Sequence, residues 1–351
     1  MRKLKFGMLA CLTTVAVAGY SPTFATEYPE MTIRLAHAFP ESWVQSGQVD
    51  KWFAEEIGRR SDGKIKVRIF WSGSLARPKE IFDAVGKGGL AMGADAHGYY
   101  GTDLPVSSMT NALTGTLSWD SARQSSQINR EMFDMFPAMQ EEWKELGIWP
   151  LYFNANSSFR IVCTSSIKSV EDIKDKKIRM FSAYHPTLWK SLGAVGVNVL
   201  PSEIYEGLQR GRLDCGFYTY SLMKAAKIYE QAKYISSANF GSAVTWPVVV
   251  NYDTYFNKWP ESVRKLVAEV AREAELRSVE VETKADLESL EFMKTHGATL
   301  VEFPVQEQEK LEEKVPDFID VWQTEAQSAA HGDAAKAIAE YSKKRRAELA
   351  P

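Results

Sequence analysis

Between Glu261 and His296 the chain runs for 36 residues without a glycine or a proline. Val263, Leu266, Val267, Val270, Ala271 and Ala274 recur there at helical spacing. A continuous helix over this run would extend about 54 Å, at ~1.5 Å per residue. That is longer than one small core can cover, so such a helix must lie along the backs of two domains. The alternative is two helices that meet near Ser278. A chain of 351 residues also exceeds a comfortable single core, and two domains are expected on length as well.

The beginning of the chain reads as an export signal. Arg2, Lys3 and Lys5 precede an apolar, small-residue run from Phe6 to Gly19, and Thr23-Phe24-Ala25 offers small residues at the two positions a signal peptidase reads. Residues 1–25 are therefore expected to be cleaved, being too short and wrongly flanked for a membrane anchor, which places the mature chain in the periplasm. Cleavage takes Cys11 with it. It also moves the formal charge from −3 to −6, with 39 basic against 45 acidic side chains. A mildly acidic balance argues against nucleic acid as a partner. Cys163 and Cys215 remain. They could pair in an oxidising compartment, but both fall in strand-like runs, where buried free thiols are common, and free thiols are the expectation. Neither belongs to a Cys-x-x-Cys or Cys/His cluster, so no metal and no cofactor is expected.

The pattern then alternates strands and helices. Met31 to Ala36 and Ile65 to Phe70 alternate apolar and polar residues like strands, flanking a helical pattern from Val44 to Arg60 that stops at Ser61-Asp62-Gly63. A helix from Pro78 to Val85 leads to a short buried strand, Leu90 to Ala94. A second series begins near Trp149, with strands at Trp149 to Phe153, Ser158 to Cys163, Ile178 to Phe181 and Leu213 to Tyr218, and helices over Tyr184 to Leu192 and Ser202 to Arg210. This rhythm predicts βαβ units around largely parallel sheets. The C-terminal Lys343-Lys344-Arg345-Arg346 reads as a solvated helix end.

Within the second series, Arg179 closes a Lys-Ile-Arg-Met strand, and Arg160 sits about 20 residues earlier. Ends of strands in open α/β sheets are where ligand crevices form. A guanidinium there offers a planar, always-charged fork that suits a carboxylate. For a single exposed arginine a surface salt bridge is the plainer reading.

Three stretches carry a family resemblance. Ser61-Asp62-Gly63-Lys64-Ile65-Lys66-Val67 followed by Trp71-Ser72-Gly73-Ser74-Leu75 resembles Thr-Gly-Gly-x-Ile-x-Val … Pro-x-Gly-x-Leu-Gly. Val170 to Arg179 is similar to Pro-Glu-Asp-Leu-Lys-Gly-Leu-Lys-Ile-Arg, and Pro201 to Gly216 to Pro-x-x-Glu-x-Tyr-x-Ala-Leu-Gln-x-Gly-x-Val-Asp-Gly. In this order they resemble the periplasmic solute-binding subunits of tripartite ATP-independent periplasmic (TRAP) transporters, which include C4-dicarboxylate and sialic acid binding proteins. The resemblance covers most of the mature chain. It implies an α/β fold: a two-lobed periplasmic binding protein clamp with a long helix spanning both lobes. Lobe I is expected at residues 26–157 plus about 239–270, lobe II at 158–238 plus about 271–325, and a C-terminal helix or tail at 326–351. It also implies a monomer that captures an organic acid anion and hands it to integral membrane permease subunits.

Carried over, the family's carboxylate-binding arginine falls on Arg179 and a second ligand-contacting arginine on Arg160, beside Phe159. Many relatives place an asparagine where this chain has Tyr218, and the motif glycine after Asp214 is here Cys215. An aromatic hydroxyl in place of an amide suggests a less polar ligand body. His37 and Trp43 after the first strand, His97, Tyr99 and Tyr100 after the third, and Trp246 in the crossover segment are further candidate pocket residues, although packing alone accounts for single aromatics in most cores. Together they hint at an aromatic or cyclic acid. A hydrolase is the rival of another class, but the five histidines of the mature chain form no His-Glu-x-x-His, and no serine lies in Gly-x-Ser-x-Gly. A binding module feeding a sensor would use the same clamp chemistry.

Overall fold

The computed structural model describes residues 27–107, 109–113, 115–326 and 331–349. The expected signal segment, Cys11 and parts of the C-terminal tail lie outside them. Two sheets organise the chain. In the first, strands β1 (Met31–His37), β2 (Ile65–Phe70), β3 (Met92–Ala94) and β4 (Ile148–Asn156) are joined by β10 (Ala243–Asn251), in the order β2-β1-β3-β10-β4. The second holds β5 (Arg160–Cys163), β6 (Lys177–Met180), β7 (Val195–Asn198), β8 (Cys215–Tyr218), β9 (Tyr234–Ser236) and β11 (Thr299–Val301), in the order β11-β9-β5-β8-β6-β7.

The strands do not all run parallel. β10 is antiparallel to both β3 and β4, and β5 is antiparallel to both β8 and β9. These reversed strands occur because the chain changes sheet between β4 and β5 and returns between β9 and β10. β10 is wholly buried, yet the sequence reading placed its Trp246 in a crossover segment. Pro247 is the reason: a proline argues against a central strand. The structure accommodates it between two register shifts, one at Val244/Trp246 and one at Val248/Val249.

The glycine- and proline-free run is one helix, Glu261–Thr295, with no break at Ser278. Its buried face changes character along its length. Val263, Leu266, Val267, Val270, Ala271 and Ala274 form the anticipated apolar stripe, and the stripe then continues as Glu275, Ser278, Glu282, Asp286 and Ser289. Glu275, Ser278, Glu282 and Asp286 each have a partner on the body the helix crosses. Glu275 takes Arg130 at 2.6 Å and the Phe153 amide at 3.0 Å; the Ser278 hydroxyl accepts from the Ala155 amide; Asp286 accepts from the Ser221 amide at 2.9 Å. The helix thus starts against the first sheet and leads into β11 of the second. Among the described residues no helix is long and apolar enough to cross a membrane.

Cys163 and Cys215 are disulfide-bonded, which corrects the expectation of free thiols. They are directly opposed in the antiparallel β5–β8 pair, with Cα atoms 4.1 Å apart. Their sequence separation of 52 hid that register in the sequence. Replacing both by alanine is expected to lower unfolding free energy by about 3 kcal/mol, because the bond restricts the unfolded chain. Urea denaturation of the paired variant checks this, and an unchanged midpoint would show the bond to be dispensable.

Candidate functional site

Arg179 lies one residue before the end of β6, opposite Val197 of β7, and is only 3% exposed. Its Nη1 donates to the Phe217 carbonyl oxygen at 3.2 Å, and Nε has no partner. Among the described residues no carboxylate approaches it. The rings of Phe181 and Tyr218 lie 4.1 and 4.5 Å from the guanidinium carbon. Such cation–π contacts recover part of what burial costs. Burial pulls its pKa below the ordinary arginine value, but an arginine stays protonated in proteins. The result is a desolvated positive charge with no negative partner. Burying one is expensive, and this residue faces a cavity.

That cavity, of about 50 Å³, is walled from both sheets. From the first come Phe39 and Trp43 after β1, Ala96 and Tyr99 after β3, Asn156 at the end of β4, and Thr245 and Trp246 of β10. From the second come Arg179, Phe181 after β6, Pro201, Tyr218 at the end of β8, and Leu222. Phe159 closes it at the crossing from β4 to β5. Phe39 stacks on Trp43 at 4.9 Å and meets Trp246 at 4.5 Å, making a continuous aromatic wall. The Tyr218 hydroxyl and Asn156 Nδ2 are buried without partners, as is Arg179 Nε. Buried polar atoms are almost always satisfied, so three orphans at one cavity make it the candidate ligand site. Burial raises the Tyr218 pKa against the lowering effect of Arg179, and it pushes Tyr99 up to about 12 despite the same arginine. Both hydroxyls are therefore neutral donors at physiological pH.

Of the candidates read from sequence, the cavity gathers Arg179, Tyr218, Phe159, Trp43, Tyr99 and Trp246. Arg160 does not line it. Its Nη1 donates to Asn239 Oδ1 at 2.8 Å and to the Phe159 carbonyl oxygen, and its guanidinium lies 5.6 Å from the Tyr220 ring. It stands one strand away, opposite Tyr218 in the β5–β8 register. His37 is structural: Nδ1 accepts from the Phe39 amide, so Nε2–H donates to Asp50 Oδ2 at 2.8 Å. His97 is buried, bonds Thr110 at 3.0 Å, and is held uncharged by burial, which drops its pKa to about 3. Tyr100 donates to Asp95 at 2.8 Å and stacks on Phe82. Histidine after a strand looked like ligand chemistry, but here it serves the core.

Sequence reasoning missed Phe39, Asn156, Phe181, Pro201, Leu222 and Thr245. Phe181 follows Arg179 by two residues at the strand end, and that position was the available signal. A larger open cleft of about 460 Å³ lies elsewhere, around Asp120, Gln308, Asp317, Lys343 and Arg346. There Arg346 pairs with Asp317 and Lys343 with Asp320, so its cations are already answered. Among the described residues no cluster of three or more His, Cys, Asp or Glu could hold a metal ion.

Behind Asn156 sits a buried polar cluster that ties the two sheets to the long helix. Gln45 Nε2 donates to Asn156 Oδ1, to the Ala155 carbonyl oxygen and to Glu282 Oε2. The Ser221 hydroxyl donates to the other Glu282 oxygen at 2.8 Å. Burial, with the nearby charge of Asp286, pushes Glu282 up to about 8; burial likewise raises Asp286 to about 6. The folded protein therefore keeps protons that the unfolded chain has released. The stability these two groups contribute is full below the ordinary carboxyl range and is lost as pH rises through about 6 for Asp286 and about 8 for Glu282, by at most about 1.4 kcal/mol per pH unit for each group. Urea midpoints measured from pH 5 to pH 8 should fall, and Glu282→Gln should flatten the slope; a parallel slope in the variant would contradict this.

Residues 35–325 match the DctP family, bacterial extracellular solute-binding protein family 7. A solute-binding protein of Albidiferax ferrireducens is 23% identical over 284 residues, covering 77% of this chain and 80% of that one. The crystal structure of a TRAP periplasmic solute binding protein from Desulfovibrio salexigens superposes with a TM-score of 0.78 at 20% identity, over 92% of this chain and 97% of that one. That of a TRAP solute binding protein from Rhodoferax ferrireducens, in complex with copurified benzoate, gives 0.79 at 16% identity, over 91% and 98%. The two sheets joined by a long helix are the fold of these binding proteins. The chain belongs to bacterial extracellular solute-binding protein family 7, a family of binding proteins and not of enzymes.

Proposed function

We propose that this protein captures a small organic acid anion in the periplasm and delivers it to the integral membrane permease subunits of a TRAP transporter. The observation that carries the reading is Arg179: a buried guanidinium with no carboxylate partner among the described residues, at the wall of a cavity between the two sheets. Arg179 and the Tyr218 hydroxyl grip the carboxylate, and the aromatic walls take the rest of the molecule. Arg160 supports the anion site from the neighbouring strand, through its bonds to Asn239 and the Phe159 carbonyl oxygen. The crossings between β4 and β5 and between β9 and β10 act as the hinge, so closure excludes water and strengthens each charge-assisted bond. The benzoate of the Rhodoferax relative is an acid of the size and character this cavity suits.

A thermal-shift screen of the mature protein against aliphatic, keto, sugar and aromatic acids and sulfonates tests the reading. A ligand at ~1,000 times its Kd adds about 4 kcal/mol of apparent stability. A raised midpoint with one class of acid is the expected result. Silence across the acids, with a response to neutral solutes, would overturn it.

A further inference from the structure

The ligand class can be narrowed, on the reading above that Arg179 anchors an organic acid. Among the described residues that line the cavity, Arg179 carries the one formal charge. Seven of the lining side chains are aromatic, and Ala96, Pro201 and Leu222 add apolar surface. A second carboxylate would find no second cation there, and an unpaired ion in a dry site is strongly disfavoured. A polyhydroxylated body would bring more hydroxyls than the few polar groups of the lining (the Tyr99, Tyr218 and Thr245 hydroxyls and Asn156) can answer, and would press the rest against rings. The cavity of about 50 Å³ has room for about four waters, which limits the body to about one ring or a short branched chain.

Asn156 adds a requirement of its own. Gln45 Nε2 lies 3.1 Å from the Ala155 carbonyl oxygen, which only accepts, so this Gln45 atom is the nitrogen. The same nitrogen contacts Asn156 at 2.5 Å, so the Asn156 atom there must be the oxygen. The other amide atom is therefore Nδ2, a donor that is buried without a partner in a residue lining the cavity. We propose that the ligand is a singly charged carboxylate on a compact, largely apolar body, bearing one neutral hydrogen-bond acceptor that Asn156 reads. Arg179 and Tyr218 bind the acid group; Asn156 selects among acids.

The test is calorimetric titration of the mature protein with phenylglyoxylate, phenylacetate, succinate and gluconate. The first two differ by a carbonyl against a methylene next to the carboxylate; succinate adds a second charge and gluconate a hydroxylated body. Phenylglyoxylate should bind about fivefold or more tighter than phenylacetate, the effect of one buried hydrogen bond. Both should bind at least tenfold tighter than succinate and gluconate. Asn156→Ala should erase the preference for phenylglyoxylate, so that the two phenyl acids bind alike whatever the change in either affinity alone. Tighter or equal binding of succinate or gluconate would overturn the proposal and leave the acid-binding reading standing. Equal binding of the two phenyl acids to the unmodified protein would overturn the role of Asn156, even if the variant failed to fold. If none of the four acids bound, this proposal would be overturned, and the acid-binding reading would be decided by the wider thermal-shift screen.

Discussion

Replacing Arg179 by methionine is expected to weaken binding of an acid ligand by two orders of magnitude or more, while leaving the ligand-free protein as stable as before. The first half follows from the loss of at least two charge-assisted hydrogen bonds, at about 1.5–3 kcal/mol each. The second half separates a binding arginine from a structural one. Removing one member of a buried ion pair strands its partner and costs about 3–5 kcal/mol, but Arg179 has no such partner among the described residues. Its loss forfeits two ring contacts and one bond to the Phe217 carbonyl oxygen, and it also removes an uncompensated buried charge. A methionine of similar volume should pack against Phe181 and Tyr218. Titration calorimetry together with urea denaturation reads both halves. Full affinity in the variant, or loss of several kcal/mol of stability in the absence of ligand, would place Arg179 in the scaffold.

The opposite outcome is expected at Asp50. This wholly buried carboxylate receives four donors: His37 Nε2, the Tyr152 hydroxyl at 2.7 Å, Asn154 Nδ2 at 2.8 Å and Trp246 Nε1 at 3.0 Å. Asp50→Ala would leave all four unsatisfied in the core. At about 1–3 kcal/mol for each stranded group the loss should reach at least about 4 kcal/mol, enough to unfold a marginal domain at growth temperature. Ligand affinity should fall as well, because Trp246 forms part of the cavity wall and Asp50 fixes its indole. Asp50→Asn, which keeps one acceptor oxygen, should recover part of the stability. Denaturation midpoints of the two variants check the order. An alanine variant as stable as the parent would mean that water satisfies these donors.

These two residues also mark what the sequence made legible. Arg179 could be found because a short strand pattern ended there and a family motif ran through it. The long helix could be found because an unbroken run without glycine or proline has few other fates. Asp50 could not, since its four partners come from positions 37, 152, 154 and 246, which only the folded sheets bring together. The same holds for the Cys163–Cys215 bond and for the amide of Asn156, whose orientation depends on Gln45 far earlier in the chain. β7, β9 and β11 are only three or four residues long, too short to show a period. β10 carried a proline that masked it. His37 and His97 do not line the cavity: residue type and strand-end position suggest a ligand contact, whereas their burial and bonding place them in the core.

The central claim is that Arg179 holds the carboxylate of a bound acid inside the cavity between the sheets. The most direct measurement is a crystal structure of the mature protein saturated with the acid that binds most tightly in the screen. The account predicts the carboxylate within hydrogen-bond distance of Arg179 and Tyr218, with the ligand body against Trp43, Trp246 and Phe159. An acid bound elsewhere, or one whose carboxylate turns away from a guanidinium still facing only rings, would contradict it.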